Sequence, residues 1–312
     1  SPQQSNVTSY RATALAIMML QAFSAMWINA FIVSVLCMGW VKKKTLNSNE
    51  KILLFLGCSR FCYLCISCVY SFLSIIYPKY LYVHPILQLV ASIQAFLSYS
   101  NLWFSACLYV FYCIKIANFR NSFFIYLKVK IDRIVSLMLS GSVLFSLVIG
   151  ILVYDISDKP HCNIRNSTEQ GRFWKASIKM DKRIFPFFFL IGCGYAVSFI
   201  AVTFSALLLL FSLWRHKCNM QINSMKDLSM DAHIRAMKSI LSFLIMYSIN
   251  FISLILEMVY ATKKESPAMF PIVVFQYVFP GLHSLILIFS NPRLEKKLLR
   301  ILSCVKIKVC MK

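Results

Sequence analysis

The chain of 312 residues is 59% hydrophobic and 15% aromatic, and only 14% of its residues are charged. Soluble domains average about 45–50% apolar and about 25% charged residues, so this chain has too little polar surface for a water-soluble globule of its size. The composition argues against a soluble enzyme and against a soluble nucleic-acid-binding protein. The formal charge of +22 comes from 33 Lys and Arg residues against 11 Asp and Glu residues. In an apolar chain, the first question is where these cations lie relative to a bilayer.

Seven apolar segments are each long enough to cross a hydrocarbon core, which requires about 20 helical residues. The predicted spans are residues 12–40, 52–77, 83–114, 134–154, 184–214, 236–261 and 269–290. This pattern predicts an all-α membrane protein, a single seven-transmembrane-helix bundle over residues 1–312. After the last span, residues 291–303 place Leu and Ile on one side and Lys and Arg on the other. They predict a short amphipathic C-terminal helix at the membrane interface.

The third span is the most polar of the seven. It contains Gln88, Gln94, Ser98, Ser100, Asn101 and Ser105. Lipid offers amide and hydroxyl groups no hydrogen-bonding partners, so these side chains are expected to face other helices or a cavity.

The distribution of cations predicts the orientation of the bundle. With the N-terminus outside, 21 of the 33 Lys and Arg residues fall in cytoplasmic loops and the tail, 11 fall on the outer side, and Arg60 lies inside a span. The positive-inside rule therefore favours an outside N-terminus and a cytoplasmic C-terminus. Most of the excess charge is then a topology signal and a contact with anionic membrane lipids. Sequons at Asn6 and Asn166 fall on the predicted outer side, where we expect glycosylation.

Three polar residues lie at similar depth in the inner halves of spans one, two and seven. They are Asn29, Arg60 and Ser284, and His283 adjoins the last of them. A buried Arg is costly unless it is paired. We expect Arg60 to donate to Asn29 and to backbone or hydroxyl groups of span seven, which would tie three helices together. The alternative is that Arg60 snorkels toward the inner interface.

No P-loop, zinc signature or catalytic triad is present, and the five His residues are scattered across loops and both faces. We therefore expect no enzyme activity, cofactor or metal. A transporter is a distant alternative, because seven unequal spans without a repeat argue against it. Glu257, near the outer end of span six, could pair with a cationic ligand amine. The favoured interpretation is a solvated helix end or a pair with Lys263 or Lys264, because interfacial carboxylates cost little.

Short motifs recur at the predicted inner ends of the helices. They are Trp40–Lys42, Phe111–Phe119, Ser212–His216, Ala232–His233, Ala236–Lys238 and Pro280–Ile288. In this order and at these helix ends, they resemble the motifs of type 2 bitter taste receptors, a family of seven-helix G-protein-coupled receptors. The likeness extends along the whole chain. A vomeronasal type 1 pheromone receptor shares the architecture and is the alternative; residues 115–119 and 283–285 weigh against it.

The resemblance implies a chemosensory receptor that binds small, bitter-tasting agonists in the outer half of the bundle. It also implies activation of a heterotrimeric G protein with a gustducin-type α subunit and βγ, at the plasma membrane, and no nucleic-acid partner. Alignment with the family assigns the ligand cavity to Gln94, Ser98, Tyr99, Tyr247, Asn250, Leu254, Val273 and Tyr277. G-protein contact and switching are assigned to Tyr112, Lys115, His216, His233 and Lys238.

The sequence departs from its relatives within the assigned cavity. Many members carry Trp and Asn where this chain has Gln94 and Ser98, and often an aromatic residue in place of Asn250. We therefore expect a smaller and more polar pocket than in those relatives.

Overall fold

The computed structural model describes residues 2–81, 83–117, 122–158, 185–222, 227–260 and 269–310. These ranges contain ten helices: α1 (Pro2–Lys43), α2 (Ser48–Ile76), α3 (Pro78–Leu81), α4 (Ile86–Ile116), α5 (Ser122–Val129), α6 (Ile131–Asp158), α7 (Phe185–Ile222), α8 (Asp227–Tyr260), α9 (Met269–Ser290) and α10 (Pro292–Cys310). The described part of the chain contains no strand. Six of its helices are long and apolar enough to cross a membrane, and α9 with the bent α10 supplies a seventh candidate. The predicted all-α seven-helix membrane bundle is confirmed.

Several helices extend beyond the apolar segments seen in the sequence. α7 continues to Ile222 and α8 begins at Asp227, whereas the predicted spans stop at residue 214 and start at residue 236. Hydropathy marks the part of a helix that lies in hydrocarbon, but backbone hydrogen bonding continues through the polar turns on either side. The antiparallel order brings Lys42, Lys43, Lys115, Arg215 and Lys238 to one end of the bundle. We call it the basic end, and we call the half remote from it the outer half.

Helix α4 lies at the centre of the bundle, packed on α2, α6 and α7. Its apolar window is 72% buried, against 22–44% for the other five windows. Gln88, Ser100 and Ser105 are all buried on it. The polar residues of the third predicted span are therefore accommodated because this helix has little contact with lipid.

Small residues bring α1 and α9 close together. Ala22 and Ala25 of α1 are buried with Leu64 and Tyr277. A Cβ atom on Gly281 would lie 3.0 Å from the Cβ of Ala25 and 3.3 Å from its Cα. Small residues at helix interfaces allow this approach, and dispersion contacts between the backbones then stabilise the pair.

Helix α10 leaves α9 at an angle of 102°. Its Leu294 is completely buried against the main core, while Leu299, Ile301 and Leu302 are about half exposed. Arg293 forms an ion pair with Glu50 at the start of α2. The guanidinium passes over Gly39, where a Cβ would collide with it. The helix expected over residues 291–303 is thus fastened at its start to both α1 and α2.

Replacing Gly281 by Val should destabilise the bundle, because the new side chain has no room against Ala25. Overpacking of about 1–3 kcal/mol corresponds to a loss of about 2–8 °C in the thermal midpoint. Fluorescence-monitored unfolding of the purified protein measures this. Gly141→Val is the matched control, because nothing lies within 4 Å of a Cβ at that position. Equal midpoints for the two variants would contradict the close α1–α9 contact.

Candidate functional site

A buried arginine lies at the centre of a hydrogen-bond network in the inner half of the bundle. Arg60 of α2 is 1% exposed. Its Nη1 donates to the Ser284 hydroxyl at 2.9 Å, and its Nη2 donates to the Ser105 hydroxyl at 3.3 Å and to Nδ1 of His283. Since its acceptors come from α4 and α9, Arg60 joins three helices directly.

The fourth helix enters the network through Ser284. The Ser284 hydroxyl donates to Oδ1 of Asn29 at 2.8 Å, and Nδ2 of Asn29 donates to the carbonyl of Ala25 on its own helix. The direct bond expected from Arg60 to Asn29 is therefore replaced by a relay through Ser284. The snorkelling alternative is wrong, because the guanidinium is buried and paired. We call Asn29, Arg60, Ser105, His283 and Ser284 the Arg60 network.

Sequence reasoning missed the contribution of Ser105. The sequence shows that Ser105 is a polar residue within the third span, but it does not show that Ser105 faces Arg60. The Ser105 hydroxyl also donates to the carbonyl of Asn101, one turn away, so its oxygen lone pairs remain open to the guanidinium.

The network determines the protonation pattern of His283. A guanidinium can only donate, so Nδ1 of His283 is the acceptor and the ring proton lies on Nε2. This Nε2 is buried and has no hydrogen-bond partner in the described part of the chain. The ring lies beside Phe243 of α8 and Phe279 of α9, with centroid separations of 4.3 and 5.6 Å.

Helix α8 meets the centre of the bundle through aromatic rings. Phe243 stacks on Tyr109 of α4 with centroids 3.6 Å apart and an interplanar angle of 10°. Tyr247 lies parallel to Phe199 of α7, and its phenol hydrogen-bonds with Ser198 at 2.7 Å. The described contacts of α8 with the Arg60 network are therefore ring contacts, whereas α1, α2, α4 and α9 share hydrogen bonds.

A second set of polar contacts links α2, α4 and α9 in the outer half. Nε2 of Gln94 donates to the Ser67 hydroxyl at 3.0 Å. The Tyr277 phenol donates to the Ser67 carbonyl at 3.1 Å and hydrogen-bonds with Ser71 at 2.7 Å. Ser67 thus connects two of the predicted ligand residues, Gln94 and Tyr277.

Helices α7, α8 and α9 add further polar groups at this level. Tyr195 stacks on Tyr99 with centroids 5.0 Å apart, and its phenol lies within electrostatic range of Ser98. The Glu257 carboxylate accepts a hydrogen bond from Gln276 at 2.6 Å. We call the following residues the outer polar group: Ser67, Ser71, Gln94, Ser98, Tyr99, Tyr195, Glu257, Gln276 and Tyr277.

Glu257 corrects an interpretation made from the sequence. Its carboxylate is turned toward α9 and lies within electrostatic range of Tyr63 and Tyr195. The interpretation of Glu257 as part of a solvated helix end is therefore wrong. Lys263 and Lys264, the other partners considered, lie outside the described residues.

The remaining predicted ligand residues lie on the same helices. Tyr247 is buried deeper and pairs with α7, and Asn250 and Leu254 are half-buried above it on α8. For Val273 the structure describes only the backbone, which lies in α9. Sequence reasoning missed Ser67, Ser71, Tyr195 and Gln276. The four-residue spacing of Ser67 and Ser71, which puts both on one helix face, was the available signal.

The predicted G-protein residues gather at the basic end. Lys115, His216 and Lys238 are exposed, and Tyr112 is half-buried. The Lys115 ammonium lies 5.1 Å from the centroid of the Phe111 ring. His233 lies on α8, but its side chain is outside the described residues.

The two predicted glycosylation sites differ in how much of them the structure describes. The backbone of Asn6 lies in α1, and Asn166 falls outside the described residues. Among the described residues, no group of His, Cys, Asp or Glu is arranged to hold a metal ion.

Comparison with known proteins identifies the family. The model of the taste receptor protein family (TAS2R) matches residues 7–306. The chain belongs to this taste receptor family. The resemblance seen in the helix-end motifs is confirmed, and the chain is a multi-pass chemosensory receptor of the membrane. Similar relatives include taste receptor type 2 member 9 of Homo sapiens, 32% identical over 283 residues and 90% of each chain. Taste receptor type 2 member 114 of Mus musculus is 31% identical over 283 residues and 89% of each chain.

Within this taste receptor, Ser284→Ala should destabilise the bundle more than Ser105→Ala. The first change removes an acceptor from Arg60 and a donor from Asn29, whereas the second removes one longer hydrogen bond from Arg60 and a bond to the Asn101 carbonyl of the same helix. Leaving a buried polar group without a hydrogen-bond partner costs about 1–3 kcal/mol of stability, whereas an ordinary hydrogen bond contributes about 0.5–1.5 kcal/mol. Thermal unfolding of the purified receptor and cell-surface expression give the two readouts.

Ser146→Ala is the control for these two variants, because within the described part of the chain the buried Ser146 hydroxyl bonds only the carbonyl of Ser142 on its own helix. It should leave both readouts near wild type. The relay through Ser284 would be refuted by a greater loss of stability in Ser105→Ala than in Ser284→Ala.

Proposed function

We propose that this receptor binds small bitter-tasting molecules in the outer half of its bundle and activates a heterotrimeric G protein, with a gustducin-type α subunit and βγ, at the basic end. The observation behind the proposal is the division of polar side chains into two levels. The outer polar group joins five helices around aromatic walls, and the Arg60 network ties four helices below it. Membership of the taste receptor family supports the same conclusion.

The outer polar group has the chemistry of a small-molecule site. Such sites combine a few oriented polar groups with aromatic surface. Here amides and hydroxyls of Gln94, Ser67 and Tyr277 stand near the stacked rings of Tyr99 and Tyr195. Each of these polar groups already has a partner within the receptor. An agonist must therefore replace those hydrogen bonds with its own, which favours compact ligands with several donors and acceptors.

The two kinds of helix contact suggest how binding is transmitted. Hydrogen bonds fix α1, α2, α4 and α9 relative to one another at the Arg60 network, while at this level α8 packs through Phe243 and Tyr247 against the rings of Tyr109, Phe199 and Phe279. The described hydrogen bonds of α8 with other helices go to Ser198 of α7 and to Ser290 and Gln276 of α9, outside the Arg60 network. Ring contacts are less directional than a charged hydrogen-bond network, so α8 can change position relative to that network at lower cost. An agonist that binds one arrangement of α8 better increases its population, and the G protein selects the same arrangement.

We further propose that the basic end faces the cytoplasm of the plasma membrane. The N-terminus is then outside and the C-terminus inside, as the positive-inside rule favours. Glycosylation at Asn6 and Asn166 would then occur on the outer side. The half-exposed Leu299, Ile301 and Leu302 of α10 suit a helix lying at the inner interface.

The function can be tested by calcium imaging of cells that express the receptor with a promiscuous G-protein α subunit, against a panel of bitter compounds. For any agonist found, Gln94→Ala or Tyr277→Phe should raise the half-effective concentration about tenfold. This factor corresponds to the loss of one hydrogen bond, either to the agonist or between the residues of the outer polar group that position it.

Ile93→Ala is the matched control for Gln94→Ala, because Ile93 adjoins it on α4 and is 42% exposed on the outside of the bundle. Its response should stay at wild type. Silence of the wild-type receptor throughout the panel at good surface expression would contradict the proposed agonist class. Unchanged responses in both Gln94→Ala and Tyr277→Phe would contradict the proposed location of the agonist site.

Glu257 adds a prediction about the kind of agonist. It supplies a carboxylate to the outer polar group, so we expect protonated amines to be favoured over neutral molecules of similar shape. Glu257→Gln keeps the side chain's size while removing its charge, and should weaken responses to amines about tenfold while leaving neutral agonists unaffected. Dose–response curves for an amine and its neutral amide analogue provide the comparison. Equal weakening of both would show that Glu257 acts only through packing.

A further inference from the structure

Two surface grooves of similar size flank α7 toward the basic end. One is bounded by α4, α5 and α7 and encloses about 480 Å³. The other is bounded by α7 and α8 and encloses about 490 Å³. We call them the α5 groove and the α8 groove. Both lie on the outside of the bundle, so their occupants must come from the membrane.

Only the α8 groove combines apolar walls with cations. Phe211, Leu210 and Leu241 form its walls, and Lys217 and Lys238 lie at its edge. The residues that line the α5 groove include no Lys, Arg or His. Neither lysine of the α8 groove pairs with a carboxylate in the described part of the chain, so both ammonium groups are available to an anion.

The dimensions of the α8 groove match one leaflet of a bilayer. Along α7 its lining runs from Leu207 to Lys217. Ten residues of helix rise about 15 Å, which is half of a hydrocarbon core of about 30 Å. Trp214, 55% exposed, lies one turn from the lysine, at the level where indole rings favour the membrane interface. The apolar walls thus lie at acyl-chain depth and the two lysines at headgroup depth.

We propose that the α8 groove binds an anionic phospholipid, with its phosphate between Lys217 and Lys238 and an acyl chain along Phe211 and Leu241. In the orientation proposed above, this lipid belongs to the cytoplasmic leaflet. The lipid touches both helices, since Phe211 and Lys217 are on α7 and Lys238 and Leu241 are on α8. The lipid therefore joins α7 to α8 at the basic end, and the described contacts of α8 with the Arg60 network are ring contacts.

The site can be tested by fluorescence quenching of Trp214 with brominated phospholipids in vesicles. Receptor is reconstituted in phosphatidylcholine vesicles that contain the same mole fraction of brominated phosphatidylserine or brominated phosphatidylcholine. Subtracting the signal of Trp214→Phe removes the contribution of the other four Trp residues. Phosphatidylserine should be preferred at least about fivefold, the effect of roughly one lysine beside an anionic lipid.

The charge dependence of the preference identifies the site. K217Q/K238Q should abolish it while leaving quenching by brominated phosphatidylcholine unchanged, which also shows that the groove remains intact. K128Q/K130Q removes two exposed cations that do not line the α8 groove, and it should keep the preference. Equal quenching by both lipids in the wild type, or an undiminished preference in K217Q/K238Q, would overturn the proposal.

This assay separates the lipid site from the receptor function. It contains no agonist and no G protein, so a negative result leaves bitter sensing intact. Both leaflets have the same composition, so the result does not depend on which way the receptor is inserted. A receptor that fails the calcium assay can still show the lipid preference, and the converse also holds.

Discussion

A guanidinium group inside a membrane bundle needs several hydrogen-bond acceptors, because its charge persists and lipid supplies none. Arg60 imposes this requirement on its neighbours. Hydroxyls from α4 and α9 and an imidazole nitrogen from α9 must reach the same point, and Ser284 extends the network to Asn29 of α1. The relative heights of four helices are thereby set, and the close approach of Gly281 to Ala25 follows the same alignment.

Helices α7 and α8 contribute no residue to the Arg60 network among the residues that the structure describes. α8 meets the centre through stacked rings, and α7 and α8 together border the groove with the two lysines. The outer polar group lies above the tied helices and also includes residues of α7 and α8, namely Tyr195 and Glu257. A ligand bound at the proposed site would touch both kinds of helix at once, and its occupancy would then be coupled to the position of α8.

Hydropathy and charge predicted the seven spans and the depth of Arg60, because lipid excludes long polar segments and penalises an unpaired cation wherever the chain folds. They did not predict the hydrogen-bond partners of Arg60. Whether Arg60 meets Asn29 or Ser105 depends on the rotation of each helix about its axis, and hydropathy does not determine that angle. Glu257 shows the same limit. Its place near a helix end was visible in the sequence, but its direction depends on Gln276, which became a neighbour only when α9 packed beside α8.

The sequence separations within the Arg60 network also imply an order of events during synthesis. Ser105 follows Arg60 by 45 residues, whereas Ser284 follows it by 224. Ser284 thus follows Ser105 by 179 residues, which the ribosome makes in roughly 9–36 s at about 5–20 residues per second. During that interval Arg60 has an acceptor on α4 but none on α9. The longer, 3.3 Å contact with Ser105 is thus the one available while the nascent bundle is incomplete. When α9 is added, Arg60 also gains Ser284 and His283 as acceptors.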